Sequence, residues 1–157
     1  MRVAALIRVA ALIRVAALIR VALDTNVLLS ALLSPRGYPD TIYRAWRAAR
    51  FAVGSSTAQL DELRRASRYP KFKAVLQPHH VGVMVHNLQR AVALDRLPAL
   101  SAEMAADDPF DTFLIAMSIA GEADYLVTGD HRAGLLQRGS IGRTRIVTPA
   151  SFCTDAI

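Results

Sequence analysis

Four acidic residues stand in short, distinctive contexts along the chain. They are Asp24 in Val21-Ala22-Leu23-Asp24-Thr25-Asn26, Glu62 in Leu60-Asp61-Glu62-Leu63, Asp111 in Asp108-Pro109-Phe110-Asp111, and Asp130 in Val127-Thr128-Gly129-Asp130. Asp24 and Asp130 each follow an apolar run that reads as a strand. Glu62 and Asp111 fall in the opening turns of segments that read as helices. In an open α/β sheet, ligands bind beyond the carboxyl ends of the strands, so the four acids are expected to converge there. Converging carboxylates repel and raise one another's pKa. A divalent cation removes that penalty, and Mg²⁺ or Mn²⁺ prefers hard oxygen donors. The pattern points to a metal-dependent enzyme acting on phosphate esters.

Other chemistries are poorly served. The single Cys153 cannot form an internal disulfide, has no His nearby to activate it, and points to a reducing, cytoplasmic setting. His79, His80 and His86 lack the i, i+4 pairing of a helical zinc site and read as surface or packing residues. Asp107 and Asp124 read as surface or turn residues. No Ser-His-Asp set and no phosphate-cradling glycine loop is evident. A haloacid-dehalogenase-like phosphatase would want Asp-x-Asp, but the third position here is Asn26. A phospho-accepting receiver domain would want a late Lys, and none follows Lys73.

The acids need a scaffold, and 157 residues at 53% apolar and 20% charged suit one globular domain. The formal net charge is +6, and Arg2, Arg8 and Arg14 account for half of it. A basic surface around an acidic pocket suits a polyanion, with Arg64, Arg65, Arg68, Lys71 and Lys73 as candidate contacts to a nucleic-acid backbone. Residues 2–19 are three copies of Arg-Val-Ala-Ala-Leu-Ile, and a fourth, incomplete copy runs into Asp24. The interrupting Arg residues argue against a membrane span, and no polar cleavage region marks a signal peptide. Residues 1–19 are therefore expected to stand outside the fold and residues 20–157 to form the domain.

Within that domain, Arg20–Leu23 reads as the first strand and Thr25–Leu33 as a helix. Ile42, Tyr43 and Trp46 predict a helix over Pro39–Arg50, followed by a strand over Phe51–Gly54. Ser56-Thr57-Ala58-Gln59 reads as a capping box opening the helix that carries Glu62, which Tyr69-Pro70 ends. Val81, Val85, Leu88 and Val92 predict one apolar face of a helix over Pro78–Ala93. Asp108 reads as an N-cap with Pro109 at the first helical position, and Gly121 as the C-terminal glycine. Tyr125–Thr128 and Thr144–Thr148 read as further strands. The alternation predicts a three-layer α/β/α domain with a mainly parallel sheet.

These motifs, in this order, resemble the PIN-domain family over residues 20–153. Leu23-Asp24-Thr25-Asn26 resembles its opening motif and Glu62 its second acidic position. Asp108-Pro109-Phe110-Asp111 with Leu114-Ile115-Ala116 closely resembles the third motif of VapC-type toxins. Leu126-Val127-Thr128-Gly129-Asp130 and Ile146-Val147-Thr148-Pro149 resemble the fourth motif and the closing strand. Arg68-Tyr69-Pro70-Lys71-Phe72 resembles the branch labelled as toxin components. The resemblance implies a Mg²⁺- or Mn²⁺-dependent ribonuclease, the toxin of a type II toxin–antitoxin pair. It implies metal binding by Asp24, Glu62, Asp111 and Asp130, with Asn26 orienting Asp24. It also implies RNA as substrate, a cognate antitoxin protein and a homodimer. The stretch from His131 to Leu135 lacks the second acid common in related sequences, which bears on a second metal. The alternative is a catalytically silent PIN-like module that binds RNA or protein.

Overall fold

The computed structural model describes residues 2–6, 18–94, 96–130 and 134–157. Most of the N-terminal repeat (residues 7–17) and residues 131–133 of the stretch after Asp130 lie outside the described residues. Residues 2–6 are helical and exposed. Strand β1 (Arg20–Leu23) follows, its burial changing from exposed at Arg20 to fully covered at Leu23. Helices α1 (Thr25–Leu33) and α2 (Tyr38–Arg47) lead to β2 (Ala52–Ser55). Helix α3 (Thr57–Ala66), the single turn α4 (Pro70–Lys73) and α5 (Pro78–Leu88) lead to β3 (Val92–Ala93). Then come α6 (Pro109–Ala120), β4 (Tyr125–Val127), α7 (Leu135–Arg138), β5 (Ser140–Ile141), β6 (Thr144–Val147) and α8 (Pro149–Ala156).

The strands form one sheet in the order β3-β2-β1-β4-β6-β5, parallel throughout except for the β5–β6 hairpin. Successive side chains of β1 face opposite sides, as strand geometry requires. Val21 and Leu23 join a large core with Leu28, Ile42, Leu63, Met84 and Leu88. Ala22 and Leu126 join a smaller core with Leu114, Ile115, Leu135 and Ile146. The sheet is therefore sandwiched, with α1, α2, α3, α5 and α8 on one side and α6 and α7 on the other, as the expected three-layer α/β/α architecture requires. Phe152 of α8 closes the large core edge-on to Phe51 and Tyr125, at ring separations of 5.2 and 5.4 Å.

Several predicted boundaries move. Helix α2 stops at Arg47 rather than Arg50. Ala49 takes a left-handed backbone (φ 60°) and donates to Trp46 O, while Arg50 N–H donates to Ala45 O. This is a Schellman closure made by an alanine, so no glycine announces it. Helix α6 ends the same way. There the left-handed residue is Glu122 (φ 48°), not Gly121. Gly121 has an ordinary helical backbone; a Cβ on it would sit 3.2 Å from Met117 O and 3.4 Å from the Leu94 side chain. The largest correction is the helix expected over Pro78–Ala93. It ends at Leu88, and Val92 and Ala93 become edge strand β3 beside Gly54 and Ser55. Val92 continues the helical spacing of Val85 and Leu88, yet it is half exposed. The short hairpin strand β5 was not expected either.

Candidate functional site

Asp24 follows the last residue of β1 and caps α1. Its Oδ1 accepts the Asn26 N–H at 3.1 Å, and its Oδ2 accepts the Thr128 hydroxyl at 2.8 Å. Thr128 follows β4, and its hydroxyl oxygen also accepts the Asp130 N–H at 3.2 Å. The ends of two adjacent parallel strands are thus joined through one buried threonine. Asp24 itself is 7% exposed. Burial is the main reason its pKa is raised; the bonds from Thr128 and Asn26 pull it down, and the charges of Asp130 and Glu62 add smaller upward pushes.

Asp111 stands in the first turn of α6, where the helix dipole favours an acid. Asp108 caps that helix, accepting the Phe110 N–H at 2.9 Å, with Pro109 next in line as expected. Asp111 is 5% exposed, and its Oδ2 has no hydrogen-bond partner among the described residues. Its pKa is pushed up to about 6, first by burial and then by the charges of Asp108, Asp24 and Asp130, while Arg138 pulls it down. The Arg138 guanidinium is occupied in donating to Met104 O and Ala105 O, which pins the loop before α6.

Glu62 lies in the second turn of α3, with a mostly buried side chain whose Oε2 accepts from Arg65 at 2.6 Å. The strand-end position of α3 is set by Gln59, a residue with no role in the sequence-based site. The capping box reading is half right: Ser56 Oγ accepts the Gln59 N–H at 3.2 Å. The Gln59 side chain, however, turns inward instead of reaching back to the cap. It donates to Leu23 O and accepts from Ser55 Oγ at 2.7 Å, fully buried. Only its i+3 spacing from Ser56 marks it in sequence, and that spacing suggests the wrong partner. Thr128 orients Asp24 through its hydroxyl, a role that its place in the Leu126–Asp130 motif does not reveal.

The four acids share the lining of one cavity. Asp24, Glu62, Asp111 and Asp130 line one cavity of about 90 Å³, together with Thr25, Asn26, Asp108 and Phe110. Asn26 touches Asp24 through its backbone N–H, a bond that any non-proline residue could make. A second orphaned atom, Thr25 Oγ1, belongs to the same lining. Two buried polar atoms without partners in one small acidic cavity are costly unless a ligand completes them. The donors are hard oxygens, which suits Mg²⁺ or Mn²⁺. Among the described residues, no group of three His, Cys, Asp or Glu side chains is already gathered closely enough to hold one metal ion. The donor chemistry therefore fits a divalent cation, while Glu62 is held by Arg65.

The remaining sequence candidates lie elsewhere. His79, His80 and His86 are exposed on α5. Asp124 is more than a surface or turn residue: it accepts the Arg20 N–H at 2.8 Å and an Arg143 guanidinium at 2.7 Å at the opposite end of the sheet. No helix among the described residues is long and apolar enough to cross a membrane. Residues 20–132 match the PIN domain family. No curated protein matches the chain.

Proposed function

Because the chain belongs to the PIN domain family, whose members are typically nucleases, we propose that it is a Mg²⁺- or Mn²⁺-dependent ribonuclease acting at the Asp24–Asp111 cavity. The observation that carries this reading is that four acids distant in sequence line one small cavity, two of whose lining residues, Asp111 and Thr25, each carry a buried oxygen without a partner among the described residues. Asp24, Asp111, Asp130 and Glu62 would hold the cation. When bound, it supplies Lewis-acid polarisation of a phosphoryl oxygen and offsets the carboxylate charge. Thr128 and the Asn26 N–H keep the Asp24 carboxylate in one orientation, at a strand end whose backbone is locked into the sheet. Asp111 brings a carboxylate whose raised pKa reflects the cost of ionising there without a counter-charge. In the hydrolysis, water adds to phosphorus in line, the opposite P–O ester bond breaks, and the departing oxygen takes up a proton.

The resemblance of these motifs to VapC-type toxins supports a narrower reading. The chain would then be a cytoplasmic toxin of a type II toxin–antitoxin pair, active as a homodimer and held silent by a cognate antitoxin protein. A rival reading draws on the absence of a preassembled three-acid group among the described residues. It makes the chain a catalytically silent module that binds RNA or protein. Cleavage of RNA with Mn²⁺, and again with EDTA, separates the two. Wild-type protein should cleave only with the metal, and Mn²⁺ should raise its melting temperature. Asp24→Asn should fold, lose roughly 10²–10³-fold in cleavage rate, and lose most of the Mn²⁺-induced shift. Wild-type RNA cleavage that persists in EDTA, or at an undiminished rate in Asp24→Asn, would overturn the site.

A further inference from the structure

Phe110 is a large aromatic left 43% exposed at the rim of the acidic cavity. A large ring held at the rim of a candidate catalytic cavity is placed to meet whatever enters it. Its backbone is fixed, because the Asp108 cap holds its N–H and Pro109 precedes it. The Arg65 guanidinium lies over the ring, 5.5 Å from its centre. Arg65 is itself anchored by its 2.6 Å bond to Glu62, so the cation is placed between the ring and the cavity's acids. An exposed ring and a planar cation therefore stand together at the mouth of the site.

We infer that Phe110 and Arg65 form a stacking platform that receives unpaired nucleobases next to the scissile phosphate. The inference rests on the ribonuclease reading for the position of that phosphate. The chemistry of the two groups supports it. Every base presents a π-face, and aromatic rings and guanidinium planes are the surfaces on which splayed bases stack. Arg65 spends one N–H group on Glu62 and keeps others for phosphate oxygens. A base already stacked within a duplex has no free face for Phe110, so the platform selects unpaired strands. Phe110 would act as a positioning residue for the strand, leaving the acids to the chemistry.

The test separates stacking from charge. Binding is measured in EDTA, without cleavage, for a fluorescent single-stranded oligouridylate and for an abasic ribose–phosphate oligomer of equal length. Wild type should bind the base-bearing oligomer more tightly than the abasic one. Phe110→Ala should lose about 5- to 50-fold on the base-bearing oligomer and nothing on the abasic one, and Phe110→Trp should restore binding. Equal losses on both oligomers, or no loss on either, would overturn the platform. Base-dependent binding that disappears in Phe110→Ala supports it even if the wild type cleaves nothing, which would count against the ribonuclease reading alone.

Discussion

The two ends of the sheet treat their carboxylates in opposite ways. At the amino end, Asp124 precedes β4 and is fully engaged. Its Oδ2 accepts the Arg20 N–H at 2.8 Å and its Oδ1 accepts Arg143 at 2.7 Å. Its backbone N–H donates to Arg20 O and its carbonyl accepts from Arg145, so one residue joins the starts of β1, β4 and β6. Burial works against its charge, but the Arg20 N–H and the Arg143 guanidinium hold its pKa below the ordinary value. At the carboxyl end, Asp24 and Asp111 are more deeply buried, and no salt bridge to either is seen among the described residues. Both pKa values are raised. One end spends its charges on holding strands together. The other keeps acids in an energetically unfavourable state that a cation would relieve, the signature of a site shaped by function rather than stability.

Asp111→Asn should break the carboxyl end most visibly. Cleavage should fall roughly 10²–10³-fold while metal-free stability rises. The sign follows from the shift. A carboxyl group whose folded pKa is about 6, against an ordinary 3.8, costs the folded state nothing below pH 3.8. That cost grows as pH rises and is complete above about 6. Urea unfolding in EDTA should therefore show a gain for Asp111→Asn of at most about 3 kcal/mol at pH 7 that vanishes near pH 3.8. Saturating Mn²⁺ should erase the advantage by stabilising only the wild type. A variant less stable than wild type at pH 7 in EDTA would mean that Asp111 is a structural acid like Asp124.

Asp124→Ala is the converse probe. It should cost about 1–2 kcal/mol near neutral pH, because the Arg20 N–H and Arg143 lose their acceptor. A depressed carboxylate pKa stabilises the fold above its unfolded value, and the contribution is lost as pH falls through the folded value. The difference between wild type and variant should thus close only in strong acid. Metal-dependent cleavage per folded molecule should be unchanged at a temperature where both forms are folded. A selective loss of turnover would show that the two ends are coupled.

The smallest effect should come from removing residues 2–19 and starting with a Met in place of Ile19. Ile19 O accepts the Ala52 N–H, a bond that a Met backbone keeps. Val3 and Leu6 are more than two-thirds exposed. Stability should change by no more than about 0.5 kcal/mol, activity should be retained, and light scattering should show less association. A drop in melting temperature of many degrees would place the repeat inside the fold.

The local code was legible where one residue's chemistry sufficed. The acid at the end of the Val21–Leu23 run, the Asp108-Pro109 start of α6, the Ser56 cap and the alternation of β1 all follow from short-range rules, and with them the three-layer architecture and the four acids of the candidate site, which share one cavity lining. The sequence by itself thus determined which side chains were available and which strand ends and helix starts would carry them. Tertiary structure decided the rest, because the same residue types have several partners open to them. Gln59 was free to close a capping box but pairs with Leu23 O and Ser55. Val92 has helical spacing but finds an open sheet edge beside Gly54. Ala49 and Glu122 end helices in a left-handed backbone without glycine. Asp124 and Asp111 are chemically identical carboxylates, and only the folded chain places two arginines' donors around one and leaves an oxygen of the other without a partner. Burial and proximity set the energy of a charge, and both exist only once distant segments have been brought together.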